Sequence, residues 1–348
     1  MPVVEIAAGR LEGRRAGDGL AFEGIPFAVA PRFAAPEPAP RWAGVREALR
    51  PGSAAPQPRR DVAVFTHGEL PDTDEQCLNL NVFAPGVEGH RPVLVWLHGG
   101  GFAIGHAGAS LYSGERLAVA ADAVVVTVNY RLGSLGWLGH PGLAAEAGAP
   151  AANWGLLDQI AALEWVNGNV GAFGGDPGQV TVAGQSAGAL SAMDLLVAPR
   201  ATGLFRRAVL QSPPLGDVAQ PAARAAAWAQ ALSAAAGGTG AFDAPWLRAL
   251  DADEIVALHE RLLDQPAWRG TRGGALPTVD SGSLPGSPAD QPGASPEVDV
   301  LAGHTADEGS FFFDSPWRPA PPPGARARGR CASLARRGCA GRARSLPR

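Results

Sequence analysis

A chain of 348 residues can bury a large core, and 46% hydrophobic against 18% charged residues excludes an intrinsically disordered protein. No apolar run reaches the ~18 residues of a membrane span, and the N-terminal MPVVEIAAGRLEG lacks the basic and apolar regions of a signal peptide, so a cytoplasmic protein with no membrane partner is expected. The net charge of −4 hides a split: residues 1–317 carry 20 arginines against 33 acids, and residues 318–348 carry nine arginines and no acid.

Short apolar runs alternate with helical stretches along the first half. PVLVWLHGG (92–100), AVVVTVNYRLG (123–133), QVTVAGQS (179–186) and FRRAVLQSPP (205–214) read as buried strands of a parallel sheet. Between them, residues 155–167 place Leu156, Ile160, Leu163 and Val166 at helical steps, and 187–198 repeat the pattern. Alternation of this kind predicts an α/β fold with a doubly wound, mostly parallel sheet. Residues 219–264 are rich in Ala, Leu and Arg and read as helical, followed by the extended ALPTVDSGSLPGSPADQPG. Strand character returns in EVDVLAGHTADEGSFFF (297–313), and after Trp317 neither a period of 2 nor one of 3.6 survives. The domain therefore spans 1–317, and 318–348 form an Arg/Pro/Gly/Ala-rich disordered tail.

Gly184-Gln185-Ser186-Ala187-Gly188 has the G-x-S-x-G spacing of a nucleophile elbow in the strand–turn–helix context that such an elbow needs. Ser186 is the expected nucleophile. His98-Gly99-Gly100-Gly101-Phe102 follows a strand, and its bare amides suit the negative oxygen of a tetrahedral intermediate. Gly100, Gly101 and Ala187, the residue after the nucleophile, are the expected oxyanion-hole donors. The loop lacks the G-K-[ST] of a phosphate-binding P-loop. The three cysteines, Cys77, Cys331 and Cys339, are too few and scattered for a disulfide framework or a zinc site, so no metal is expected.

These motifs, with FEGIPFA, DEQCLNLNVFAP, NWGLLDQIAALEWVNGNVGAFGGDPGQV, PTVDSGSLP and GHTADEGSFFF in one order from about residue 9 to 313, resemble the type-B carboxylesterase family. That family is the branch of the α/β-hydrolases that includes cholinesterases and bacterial para-nitrobenzyl esterases. The resemblance implies serine acyl-enzyme hydrolysis of a small-molecule carboxylic ester, without a cofactor. It assigns the triad acid to Glu308 in the D-E-G motif, where capping of a helix starting at SFFF is the structural alternative. It also suggests a hydrogen-bonding role for Ser212, with a plain strand-end serine as the equal alternative, and a gorge lined by Phe102, Trp137 and Phe311, with ordinary core aromatics as the alternative. Two departures stand out. Gln185 replaces the glutamate common before the nucleophile, and Cys77, where many members form a disulfide, reads as a buried free thiol.

The family's catalytic histidine follows the acid, after the next strand. Here the histidines are 67, 90, 98, 106, 140, 259 and 304, and none follows Glu308. His98 is expected to orient the glycine loop, His259 falls in the helical insertion, and His304 shares a loop with Glu308. The expectation is a hydrolase lacking the last strand and C-terminal helix of its fold, apparently truncated or frameshifted after about residue 317 and severely impaired. The alternative is a non-catalytic protein on the same fold. GC-rich codons read out of frame yield such an arginine-rich tail, and the coding DNA tests this. A basic arm for nucleic acid is the rival, but it lacks interleaved aromatics and a groove, so no nucleic-acid partner is expected.

Overall fold

The computed structural model describes residues 1–59, 70–149, 151–215, 219–238, 242–268, 276–280, 282–291 and 295–308. Backbone contacts divide the chain into two units, Met1–His304 and Thr305–Arg348. The tail 318–348, His67, Phe311, Cys331 and Cys339 lie outside the described residues.

The first unit is built on an eight-stranded sheet: β1 (Arg14–Ala16), β2 (Gly19–Pro26), β3 (Asn79–Ala84), β4 (Arg91–Leu97), β5 (Val124–Val128), β6 (Gly175–Gln185), β7 (Arg207–Gln211) and β8 (Asp299–Gly303). Its spatial order is β8-β7-β6-β4-β5-β3-β2-β1. Neighbours from β8 to β5 run parallel, and β3, β2 and β1 close the other side antiparallel. β5, the run VVVTV, is buried at every position, as a strand covered on both faces requires.

Helices α1 (Glu115–Ala121), α2 (Gly133–Trp137), α3 (Pro141–Ala147), α4 (Trp154–Asn169) and α5 (Ala187–Val197) lie along the first two thirds. α4 buries the expected Leu156, Ile160, Leu163 and Val166, and also Asp158 and Gln159 on other faces. A carboxylate at such a depth needs a partner. Asp158 has one in Arg131, whose Nε and Nη2 reach its two oxygens at 2.8 and 2.7 Å. The helical stretch 219–264 resolves into α6 (Ala222–Ala235), α7 (Ala244–Ala249) and α8 (Ala252–Leu263). The motif PTVDSGSLP is pinned to the start of α4 through Asn153, whose Nδ2 donates to Thr278 O, Asp280 Oδ2 and Ser283 Oγ. Cys77 is buried and free, as expected.

β8 differs from its neighbours. All five of its residues are exposed, with Val300 at 49% and Leu301 at 68%, and it sits at the end of the sheet. Among the described residues its outer edge meets no further strand.

Candidate active site

Ser186 occupies the single residue between the end of β6 and the start of α5, at φ 55° and ψ −119°. Left-handed backbone costs a residue with a side chain about 1–3 kcal/mol, which the surrounding packing must sustain. The flanking glycines show how it is sustained. A Cβ on Gly184 would overlap the Gly188 carbonyl, and one on Gly188 would overlap the Leu97 carbonyl and sit 2.9 Å from the His98 oxygen. The Ser186 amide donates to Gln211 O at 2.9 Å, tying the elbow to the end of β7, and Leu190 N donates to Ser186 O as the first turn of α5 closes. Ala187 opens α5, where backbone amides have no helical carbonyl to meet.

The glycine loop leaves β4 at Leu97 and lies against this elbow. A Cβ on Gly99 would stand 2.8 Å from Gln185 O and 3.4 Å from Ser186 Cβ. Gly100, Gly101 and Phe102 all have positive φ, at 112°, 64° and 63°. A Cβ on Gly101 would meet no atom within 4 Å, so this turn faces open space. The Gly100 carbonyl accepts the amides of Ala103 and Ile104, both at 3.1 Å.

Buried polar side chains hold the return leg of the loop. Gln57 donates to Gly105 O at 3.0 Å and accepts from Gly105 N at 2.7 Å. Asn129 accepts from Ala107 N at 2.7 Å, while Thr127 and Asn81 donate to Ala107 O. Sequence reasoning missed all four residues. The available signal was polar residues interrupting apolar runs, Asn81 in LNLNVF and Thr127 and Asn129 in VVVTVNY.

His98 orients the loop as expected. Its Nδ1 donates to Gly99 O at 2.9 Å, its ring stacks on Tyr130 at 4.4 Å, and the Tyr130 hydroxyl donates to His98 O at 2.7 Å. Burial pushes its pKa down to about 4. Phe102 and Trp137 do not form an open gorge wall. Both are fully buried, with ring centroids 4.6 Å apart, because the tight glycine turn directs Phe102 into the core.

Six of the seven histidines fall in the described residues. His259 is buried against Ser134, with Nδ1 2.8 Å from Oγ, and His140 caps α3 by accepting from Gly142 N. His106 is buried, and His90 precedes β4, at the end of that strand opposite His98. His304 follows the last residue of β8 and is exposed. Ser212 N donates to Gly303 O at 2.7 Å, so His304 stands two strands along from β6, roughly 10 Å by ordinary strand spacing. Glu308 belongs to the second unit, where its carboxylate accepts from Thr305 N at 2.6 Å and is exposed. The structure thus brings together Ser186, Ala187 and the glycine loop, and describes Glu308 separately. Among the described residues no cluster of three potential ligands could hold a metal ion, and no helix is long and apolar enough to cross a membrane.

Comparison with known proteins places the chain in a family. The profile of the carboxylesterase family matches residues 1–328. A para-nitrobenzyl esterase of Bacillus subtilis is 38% identical over 320 residues, covering 89% of this chain and 64% of that protein. A phenmedipham hydrolase of Pseudarthrobacter oxydans is 36% identical over 337 residues, covering 90% of this chain and 62% of that protein. The solved structure of a thermophilic PNB esterase superposes with a TM-score of 0.82 at 35% identity, covering 91% of this chain and 65% of that one. The chain therefore spans less than two thirds of these relatives' lengths. It has the α/β-hydrolase fold, and it belongs to the carboxylesterase family.

Proposed function

We propose that this chain carries the acyl-transfer half of a carboxylic ester hydrolase acting on small-molecule esters. Ser186 Oγ attacks the ester carbonyl carbon, and the resulting oxyanion takes hydrogen bonds from the amides of Gly100, Gly101 and Ala187. Collapse of the tetrahedral intermediate breaks the ester C–O bond, and the leaving alkoxide takes up the proton that Ser186 Oγ gave up on attack and departs as the alcohol. Water then cleaves the acyl–Ser186 bond, releasing the acid and returning a proton to Oγ. We assign Glu308 as the triad carboxylate, whose task would be to orient and stabilise an imidazolium where one is supplied. No cofactor enters the scheme. The observation that carries the reading is the strained backbone of Ser186 between two glycines that admit no side chain, beside the turn at Gly99–Gly101. Membership of a family whose relatives are named as esterases supports the substrate class.

Proton transfer is the weak step. Ser186 needs a neutral imidazole within hydrogen-bond reach. His98 and His259 are buried, engaged with other partners and made poor bases by a pKa near 4. His140 is a helix cap, and His304 stands about two strand spacings off. Among the described histidines none is shown within reach of Ser186, and we therefore read this chain, by itself, as severely impaired. Loss of the triad histidine costs a serine hydrolase about 10⁶ in turnover, and a surviving oxyanion site retains ~10³–10⁴ over water.

A fluorophosphonate probe and an aryl ester test both halves together, with Ser186→Ala as control. Slow, Ser186-dependent hydrolysis of the aryl ester is expected. Folded protein with neither labelling nor turnover would replace this reading with a non-catalytic member of the fold. Rapid labelling abolished by His304→Ala would identify His304 as a working base and end the impairment reading.

A further inference from the structure

Three buried side chains outside the elbow form a continuous hydrogen-bonded chain. Trp228 on α6 donates its indole Nε1–H to Ser134 Oγ at 3.0 Å, and Ser134 Oγ lies 2.8 Å from His259 Nδ1 on α8. Ser134 is 2% exposed, His259 4% and Trp228 0%. The Ser134–His259 contact can close with either partner donating, because the hydroxyl oxygen has a second lone pair beside the one that meets the indole. The imidazole and indole also meet edge-on at 4.9 Å.

Ser134 follows Gly133, and the Gly133 amide donates to Phe102 O at 2.8 Å. Phe102 is the positive-φ residue that closes the glycine turn, and its ring packs on Trp137 from the same short helix, α2. A path of hydrogen bonds thus leads from two helices of the insertion into the loop.

We propose that Trp228, Ser134 and His259 are positioning residues that clamp α2 between α6 and α8 and so fix the shape of the Gly99–Phe102 turn. The helical insertion then acts on the oxyanion cradle through this clamp and does more than cover the core. A second hydrolytic Ser–His pair is excluded by burial, because no ester reaches a hydroxyl that is 2% exposed. The functional meaning of the clamp rests on reading the turn as the oxyanion site. Its structural content does not.

Hydrogen–deuterium exchange of the full chain, followed peptide by peptide, tests the clamp. Ser134→Ala is expected to speed exchange across 98–106 by about fivefold, the loss of one net hydrogen bond, while the β6 peptide 179–185 keeps its protection. Ser134→Thr, which keeps the hydroxyl, should restore slow exchange. Trp228→Phe, which removes one donor and keeps a smaller aromatic ring, should give the same local effect should Ser134→Ala not fold. Unchanged exchange across 98–106 in folded variants overturns the proposal, as does loss of protection that is equal in 98–106 and 179–185. Because no step requires turnover, failure of the fluorophosphonate test leaves this measurement interpretable.

Discussion

The amide of Ser186 donates to the carbonyl of Gln211 at 2.9 Å, so the residue after β6 is held by the last residue of β7. The serine's position is therefore a property of two adjacent strand ends, and the glycines around it relieve steric conflict with main chain that cannot move aside.

Gly188→Ala should destabilise the protein by about 3 kcal/mol, since the new methyl would overlap the Leu97 carbonyl and the sheet would have to shift. Gly101→Ala meets open space and pays mainly for its φ of 64°, about 1 kcal/mol. Urea unfolding of the two variants measures the difference. Equal losses would mean that packing at the elbow is looser than its geometry indicates.

Ser186→Gly should raise stability and abolish probe labelling together. Relief of the strain at φ 55° and ψ −119° is worth about 1–3 kcal/mol, against roughly 0.5–1 kcal/mol for the added freedom of the unfolded chain. A net gain near 1 kcal/mol in thermal or urea unfolding is expected. A loss would show that the serine side chain contributes more than its backbone costs.

Acid should weaken the fold through His98 and His259. Burial lowers both from 6.5 to about 4. Between those values the unfolded chain binds protons that the folded chain refuses, so stability is full above pH 6.5 and declines as pH falls toward 4. Each ring contributes roughly 3 kcal/mol to that decline. His259→Asn should flatten the stability–pH curve over this window relative to the parent, and parallel curves would assign the acid loss elsewhere.

How much was legible beforehand follows the same physics. The strand at 124–128 and the helix at 154–169 were readable because their apolar spacing reports burial directly. Ser186 and the glycine loop were readable because steric demand leaves a mark in glycine spacing. The supports of the loop, Gln57, Asn81, Thr127 and Asn129, were not, because a polar residue inside a strand does not announce which distant carbonyl or amide it will meet. Phe102 and Trp137 misled for a related reason: an aromatic beside a reactive motif reads as a wall of the site, and here the positive φ at 102 turns the ring inward.

Asp158→Ala should cost 3–5 kcal/mol, on the order expected when a buried guanidinium loses its partner, since Arg131 is 5% exposed and its mate is fully buried. Glu164→Ala, at a pair with Arg200 3.0 Å apart on the surface, should cost under about 1 kcal/mol. Comparable losses in chemical denaturation would contradict the burial assigned to Arg131.

Leu301→Lys should suppress self-association with a stability change within about 0.5 kcal/mol, because the leucine is 68% exposed on the outermost strand. Light scattering during warming is the readout, and identical curves for parent and variant would clear β8 of responsibility.

The polar ties beneath the glycine turn also bear on transplantation. Gly105 and Ala107 are gripped by side chains from β3, β5, the segment after β5 and the stretch near residue 57, regions far apart in the chain. A peptide copied from His98 to Ala107 into another scaffold would carry the glycines and leave behind what shapes them. Whoever grafts this glycine turn must move a cross-section of the sheet, with Gln57, Asn81, Thr127 and Asn129 as part of the parcel.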